Sequence, residues 1–568
     1  MARLIANSVN RDYTIAGAGS AHLLLDDRYV LENTGAAIGV QARNVLLRLD
    51  GALMTDGGAG LSVAAVARGA EVAIGGDGSV TASGSGILVA GADSVIQNAG
   101  TITSRGTLYS GLVAAGNDGE SGVLYDGPGS NHSLVNSGQI TGAEGVTARA
   151  GGVTVLNAGR VVGDVDDGMD FEGDGIRVTN EGTIHGRSQG IDTTDSTGVR
   201  IVNHGTIHAD LEEGVYVEGA QGYVLNTGDI TAVNGTAVRI DGEDSRLVNT
   251  GTLASGTGLA VEGGPLGNAV LNSGLIDGDV TLYSGDDLYR ASGEGRVSGT
   301  VVGNSGADTL LGGAARDDFD GNIGTDRIAG GAGDDRLLGG DGRDLVRGGA
   351  GEDTLFGGAD AAADTMHGGA GDDYLDGGRG FDQLRGGAGD DTVIGQRGND
   401  RLLGHAGDDL VYGGGEADRL YGGDGDDSIY GGAGRDVAFG GRGDDLLFGG
   451  AAASRLYGGA GDDRLTAAGR AYPDLLSGGA GDDVLTTGAG RDTIEFRRGF
   501  DSDRVTDFVN AADRVDLRSF EFRGIADLRA NSDLVALDNA VLLDFGDGDT
   551  LTLSGIRLGQ VDATDFLF

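Results

Sequence analysis

The chain has 568 residues and a formal charge of −47, with 87 acidic side chains against 40 basic ones, all of them arginine. That balance argues against nucleic acid or any other polyanion as a partner and favours cations. Cysteine is absent, which removes disulfides and thiolate metal sites, and 115 glycines stand against 3 prolines without a Gly-X-Y period. A hydrophobic content of 39% spread with strict periodicity conflicts with disorder and predicts repeated tight turns in a cation-stabilised fold.

In chain order, the run Met1 to Arg11 is too short and too interrupted for the apolar core of a Sec-type leader, so any export address is expected elsewhere. No stretch reaches the length of a membrane span, and no transmembrane segment is expected.

From about residue 70 to 280 a motif recurs: two apolar residues, Asn, any residue, Gly, any residue, then Ile, Val or Leu. Its asparagines are Asn98, Asn136, Asn157, Asn180, Asn203, Asn226, Asn249 and Asn272, the last five intervals being 23 residues each. The 38 residues before Asn136 leave room for a loop through Tyr109 to His132. A second short alternating segment lies in each repeat, as in Gly168 to Gly173 and Gly214 to Gly219, and no window has a convincing helical period. Coils of short strands stacked at about 4.8 Å would satisfy the backbone through parallel ladders and bury a continuous apolar interior.

The expected fold of residues 1–300 is therefore a right-handed parallel β-helix. Each asparagine amide is expected to bond its own turn and the equivalent asparagine one coil away, and the glycine two places on is expected to adopt a positive φ. The repeats resemble the β-helical passenger regions of bacterial autotransporters and adhesins and, more loosely, pectate-lyase-like β-helices.

Residues 303–495 repeat Gly-Gly-X-Gly-X-Asp-X-apolar-X over twenty-one consecutive units, two of them stretched to eleven residues. The sixth place holds Asp308, Asp317, Asp326, Asp335, Asp344, Asp353, Asp364, Asp373, Asp382, Asp391, Asp400, Asp409, Asp418, Asp427, Asp436, Asp445, Asp463, Asp474, Asp483 and Asp492, with Ser454 as the exception. Glycines let each loop coil tightly and turn carbonyls inward, and the aspartate supplies a hard anionic oxygen, a donor set suited to calcium more than magnesium. A flexible glycine linker would not keep an apolar residue two places after the aspartate throughout. Weak units are expected around Ala315, Ala361 to Ala363, Ser454 and Ala467 to Pro473.

This array resembles the nonapeptide repeats of RTX (repeat-in-toxin, hemolysin-type) proteins. The resemblance implies that multiple Ca2+ ions are held by the aspartates named above, in a parallel β-roll of two units per coil, about ten coils and roughly 50 Å long.

Residues 496–568 lose the glycine rhythm and close on Asp565-Phe566-Leu567-Phe568. They resemble the C-terminal region of serralysin-type exoproteins. That implies an uncleaved signal for a type I secretion exporter and an extracellular, secreted protein, while the same residues suit a small β-rich cap on the roll.

No His-Glu-X-X-His helix and no Gly-X-Ser-X-Gly elbow is present. His204 and His208 are four apart but lie in a strand-and-turn repeat, which suits a zinc site poorly. Asp167, Asp170 and Asp192 are expected to form an acidic stripe with Glu213 on the β-helix, while Arg177 aligns with Arg200 and His185 with His208. Such stripes are candidates for acid–base work on sugars. The architecture is similar to that of alginate epimerases, but their Tyr-Gly-Phe-Asp-Pro-His signature is missing. Two readings of the β-helix follow: a binding, adhesin-like or structural module for an extracellular polysaccharide or cell surface, or a polysaccharide lyase, hydrolase or epimerase.

Overall fold

Apolar and polar residues alternate over only three or four positions between glycine-containing bends, so the chain forms short strands that gain partners only by stacking. The computed structural model describes residues 70–568 except 77, 83–84, 90–92, 105–120, 126–130 and 468–471, and before residue 70 it describes eight short strands. The chain divides into two units, 1–305 and 306–568. Of the loop expected through Tyr109 to His132, residues 109–120 and 126–130 lie outside the described residues, as does most of the run from Met1 to Arg11, whereas Val123–Tyr125 is not loop but a strand paired with Ile87–Val89 and Val146–Ala148.

In the first unit a coil has three strands, for example Thr154–Asn157, Arg160–Gly163 and Met169–Phe171. Each pairs in parallel with its equivalent one coil on, as Asn157↔Asn180, Arg160↔Thr183 and Met169↔Ile191. This is the expected parallel β-helix, with one strand more per repeat than the sequence indicates. The Asn-X-Gly bend turns the chain, so the apolar residues on its two sides belong to different faces. Parallel pairing continues below the recognisable motif, through Ala2↔Ala21, His22↔Leu46, Leu46↔Glu71 and Glu71↔Val95.

Stacked aliphatic residues such as Val155, Val178, Ile201, Val224 and Leu247 fill the interior and are essentially inaccessible. Each contributes roughly 1.5–3 kcal/mol through burial. Beside them runs a polar ladder: Asn180 Nδ2 donates to Asn203 Oδ1 at 2.8 Å and Asn203 Nδ2 to Asn226 Oδ1 at 2.8 Å. The series is unbroken from Asn98 to Asn272. From Asn136 to Asn249 each Nδ2 also donates to its own bend, as Asn203 to the Gly205 carbonyl at 3.1 Å. Below Asn98 the same column holds Ile74 and then Leu49, both buried, so aliphatic packing replaces the amide ladder.

The glycines two places after these asparagines do not adopt the expected positive φ. They are required by close approach instead. A Cβ on Gly205 would collide with the Gly182 carbonyl oxygen of the coil below, and one on Gly228 with that of Gly205. Bends stacked at the spacing of a parallel ladder leave no room for a side chain pointing along the stack.

In the second unit alternate nonapeptides stack. Arg327–Ala332 pairs with Leu345–Ala350, and Arg336–Asp341 with Thr354–Gly358, each 18 residues on. Across the two longer units the offset becomes 20, as Leu345↔Thr365 and Arg455↔Leu475. The bends absorb the extra residues and the register survives. The eighth-place residues, from Leu310 to Ile494, are buried in the interior, as expected.

Residues 496–568 belong to this unit. Ser502–Val505 and Arg514–Asp516 continue the two columns of the roll. Asp533–Leu537, Ala540–Gly546 and Asp549–Ser554 then form an antiparallel meander, and Phe566–Leu567 pairs with Arg514–Asp516. Phe496, Phe520 and Phe545 pack together, with ring centroids 4.7–6.0 Å apart. A single α-helix among the described residues, Ile525–Asn531, also lies here, where the sequence shows no helical period.

Candidate metal centre

The sixth-place aspartates form two ladders. Asp391 N–H donates to Asp409 Oδ1 at 2.9 Å, Asp409 N–H to Asp427 Oδ1 at 2.9 Å, and the other edge repeats this from Asp382 to Asp400 to Asp418 at 2.8–2.9 Å. Each carboxylate thus reaches back toward the preceding coil and is held by a backbone donor there. The ladders pass beyond Glu495, since Asp483 donates to Asp503 Oδ1 and Asp492 to Asp513 Oδ1, both at 3.2 Å. Asp503 and Asp513 were not among the sequence candidates, although Asp503-Arg-Val505 and Asp513-Arg-Val515 keep the repeat's aspartate-to-apolar spacing without its glycines.

From Asp317 to Asp492, nineteen of these aspartates are at most 3% exposed and carry one carboxylate oxygen that is buried and meets no hydrogen-bond donor among the described residues. Burial of such a group without a partner costs several kcal/mol when it is charged. It also pushes the carboxyl up, to about 7 for Asp391, Asp409 and Asp427 and about 8 for Asp463, with neighbouring carboxylates adding to the effect.

The glycines shape the cradle. A Cβ on first-place Gly339 would stand 2.6 Å from Asp344 Oδ2, and second- and fourth-place Gly331 and Gly333 have φ of 112° and 111°. Buried, unpartnered carboxylate oxygens beside close-packed loop carbonyls are the donor set of a hard divalent cation. Aspartates of successive coils would hold calcium, which would offset the carboxylate charge that burial disfavours. Ser454 keeps the fold without a carboxylate: its N–H donates to Asp474 Oδ1 at 2.7 Å.

On the β-helix, Asp170 and Asp192 are paired neighbours and Asp167 lies beside them, all three presenting carboxylate oxygens within 4.8 Å of one another. Asp167 Oδ1 accepts from Gln189 N–H at 2.8 Å, and Gln189 Nε2 donates to Glu213 at 2.9 Å. Burial, then repulsion from neighbouring carboxylates, pushes Asp167 up to about 9, Asp170 to about 8 and Asp192 to about 6, the neighbours of Asp192 being Glu213 and Glu218. Arg177 and Arg200 pair with each other in the asparagine-bearing column and do not join the acids, and Arg200 lies over the Tyr223 ring at 4.3 Å. His185 and His208 stack at 5.3 Å, each 3.3 Å from Asp210.

The register of Asp170 and Asp192 continues through Tyr216, Arg239 and Glu262. Arg239 pairs with Asp241 at 2.8 Å, Tyr216 donates to Asp241 at 3.1 Å and Tyr283 to Glu262 at 3.0 Å, beside a groove lined by Arg239, Asp241, Glu262 and Tyr283. Sequence reasoning missed Arg239. Its place thirteen residues after Asn226, matching that of Asp170 after Asn157, was the available signal.

A model of the RTX calcium-binding nonapeptide repeat matches eight segments, adjoining or overlapping, from 298–328 to 468–502. None of the curated proteins matches the chain. Among solved structures, an extracellular lipase from Serratia marcescens is similar at 19% identity and a TM-score of 0.19, over 37% of this chain and 40% of the lipase. A subunit of the mannuronan C5-epimerase from Azotobacter vinelandii is similar at 28% identity and a TM-score of 0.19, over 23% of this chain and 91% of that one. With its loops, carboxylate ladders and family match in agreement, the segment 298–502 is an array of RTX calcium-binding nonapeptide repeats.

Proposed function

We propose that this is a secreted calcium-binding protein whose roll folds when it meets extracellular calcium, leaving the β-helix as the surface that engages a partner. The observation that carries this reading is the row of nineteen buried carboxylate oxygens without a donor. Without calcium, like charges stack at the spacing of a parallel ladder and oppose folding. Millimolar calcium outside the cell matches the roughly 10⁻⁴ to 10⁻³ M affinities of extracellular modules and would drive folding there. Residues 496–568, through their resemblance to serralysin-type termini, would address the chain to a type I exporter.

The partner of the β-helix is proposed to be an extracellular polysaccharide or cell surface, met on the face that carries Tyr216, Arg239, Asp241, Glu262 and Tyr283. A carbohydrate-active enzyme is the second reading, favoured by the convergence of Asp167, Asp170 and Asp192 with raised carboxyls.

Circular dichroism of the full chain across a calcium titration tests the first reading. Strand signal should rise with calcium and fall on chelation, and an identical spectrum in both conditions sinks it. Release of unsaturated or reducing ends from acidic polysaccharides, lost in Asp167→Ala and Asp170→Ala, would establish the enzyme reading in place of the binding one.

A further inference from the structure

Two successive coils of the β-helix carry the same tripeptide, Thr183-Ile-His185 and Thr206-Ile-His208, which occurs nowhere else in the chain. Parallel pairing sets His185 against His208, and the imidazoles stack with centroids 5.3 Å apart and planes inclined by 25°. Their column is not a copied stripe. It runs through Val162, His185, His208, Thr231 and Ala254, so histidine occupies two coils and the next coil supplies a hydroxyl. The column of Asp210 also changes from coil to coil, through Arg187, Asp210 and Val233.

The side chains of His185, His208 and Asp210 converge. His185 Nε2 lies 3.3 Å from Asp210 Oδ2 and His208 Nε2 lies 3.3 Å from Asp210 Oδ1, and the three groups present ligand atoms within 4.8 Å of one another. Arg187 precedes Asp210 in its column, yet the ion pairs of Asp210 among the described residues are with the two imidazoles. Ligands about 2.0–2.1 Å from a tetrahedral zinc lie about 3.4 Å apart, close to both of these separations.

The far side of His208 is also held, because its Nδ1 is 2.7 Å from Thr231 Oγ1. A neutral imidazole that donates from Nδ1 to this hydroxyl turns the lone pair of Nε2 toward Asp210. Nitrogen and carboxylate are then two acceptors face to face, a conflict that a cation between them resolves. A hydrogen bond at the far nitrogen is how metal-bound histidines are oriented. His204 takes no part: its Nδ1 is 2.6 Å from Thr227 Oγ1, so the pair that converges is 23 residues apart in sequence and not four.

We propose that His185, His208 and Asp210 form a site for a divalent transition metal, zinc foremost, that bridges two coils of the β-helix. Imidazole nitrogens suit zinc, whereas calcium and magnesium take oxygen, so the site differs in chemistry from the carboxylate ladders of the roll. The three side chains are 29–44% exposed, which gives an ion access from solvent. Three protein ligands leave the fourth tetrahedral position to water. An ion that binds only the stacked coils stabilises them by mass action.

Calorimetric titration of the full chain with zinc tests this, at about 10 mM calcium so that the roll is already filled. One zinc should bind per chain, and cobalt(II) in its place should give the visible absorption of a tetrahedral site. His185→Gln, His208→Gln and Asp210→Asn should each weaken binding at least about tenfold, while His204→Gln leaves it unchanged. Zinc should also raise the melting temperature of the wild type and not that of His208→Gln. A calcium-filled wild type that binds no zinc would reduce the cluster to a histidine–aspartate contact and overturn the proposal. Equal affinity in the wild type and the histidine variants would assign the zinc to carboxylates elsewhere and overturn it as well. If circular dichroism shows that the histidine variants do not fold, Asp210→Asn set against His204→Gln decides.

Discussion

Asp390 and Asp409 enter one gap of the roll from opposite sides: Asp390 Oδ1 accepts the N–H of Asp408 at 2.8 Å, and Asp409 Oδ1 accepts the N–H of Asp391 at 2.9 Å. Backbone donors therefore hold both carboxylates in place before any cation arrives. The repulsion between them is built into the fold, and it is a reason for a calcium-free roll to be loose and a calcium-loaded one to be firm.

Asp409→Asn keeps an oxygen for the Asp391 N–H and removes one charge. Without calcium the variant should be at least as stable as the wild type, because a charge held up by burial is gone. Its calcium midpoint should move several-fold higher. Thermal unfolding with chelator and with saturating calcium checks both directions.

Asn203→Ala should destabilise the β-helix by about 2 kcal/mol, since Asn180 Nδ2 and Asn226 Oδ1 each lose a buried partner. Denaturant unfolding followed by far-ultraviolet circular dichroism measures it. A loss under about 0.5 kcal/mol would mean that the amide ladder is ornamental.

Gly205→Ala should destabilise by about 1–3 kcal/mol through collision with the Gly182 carbonyl. Gly76→Ala, where a Cβ meets nothing within 4 Å, should stay within about 0.5 kcal/mol of the wild type. The pair separates close approach from the mere loss of a glycine.

The acids at Asp167, Asp170 and Asp192 predict a pH dependence in the β-helix. Their folded values, about 9, 8 and 6, lie above the unfolded value of 3.8, so the folded state binds more protons. The stability they contribute is fully present below pH 3.8 and is lost as the pH rises through 6 to 9. Asp170→Asn should flatten this slope, which melting temperatures between pH 4 and 9 will show.

The repeat periods carried the architecture by themselves. Twenty-three residues from asparagine to asparagine and nine from aspartate to aspartate place like beside like, because a parallel ladder pairs each strand with its own copy; the asparagine ladder and the buried eighth-place column follow directly. Only the tertiary structure decided what depends on neighbours from different coils. It gave the Asn-X-Gly glycines their reason, collision with the carbonyl below instead of a positive φ. It extended the carboxylate ladder to Asp503 and Asp513, where pairing with the previous coil substitutes for missing glycines. It placed Arg177 and Arg200 away from the acids and brought Arg239 onto their face. The two edges of the roll were written in the sequence as alternate nonapeptides, but that alternation acquires meaning only when an 18-residue coil sends every second loop to the same side.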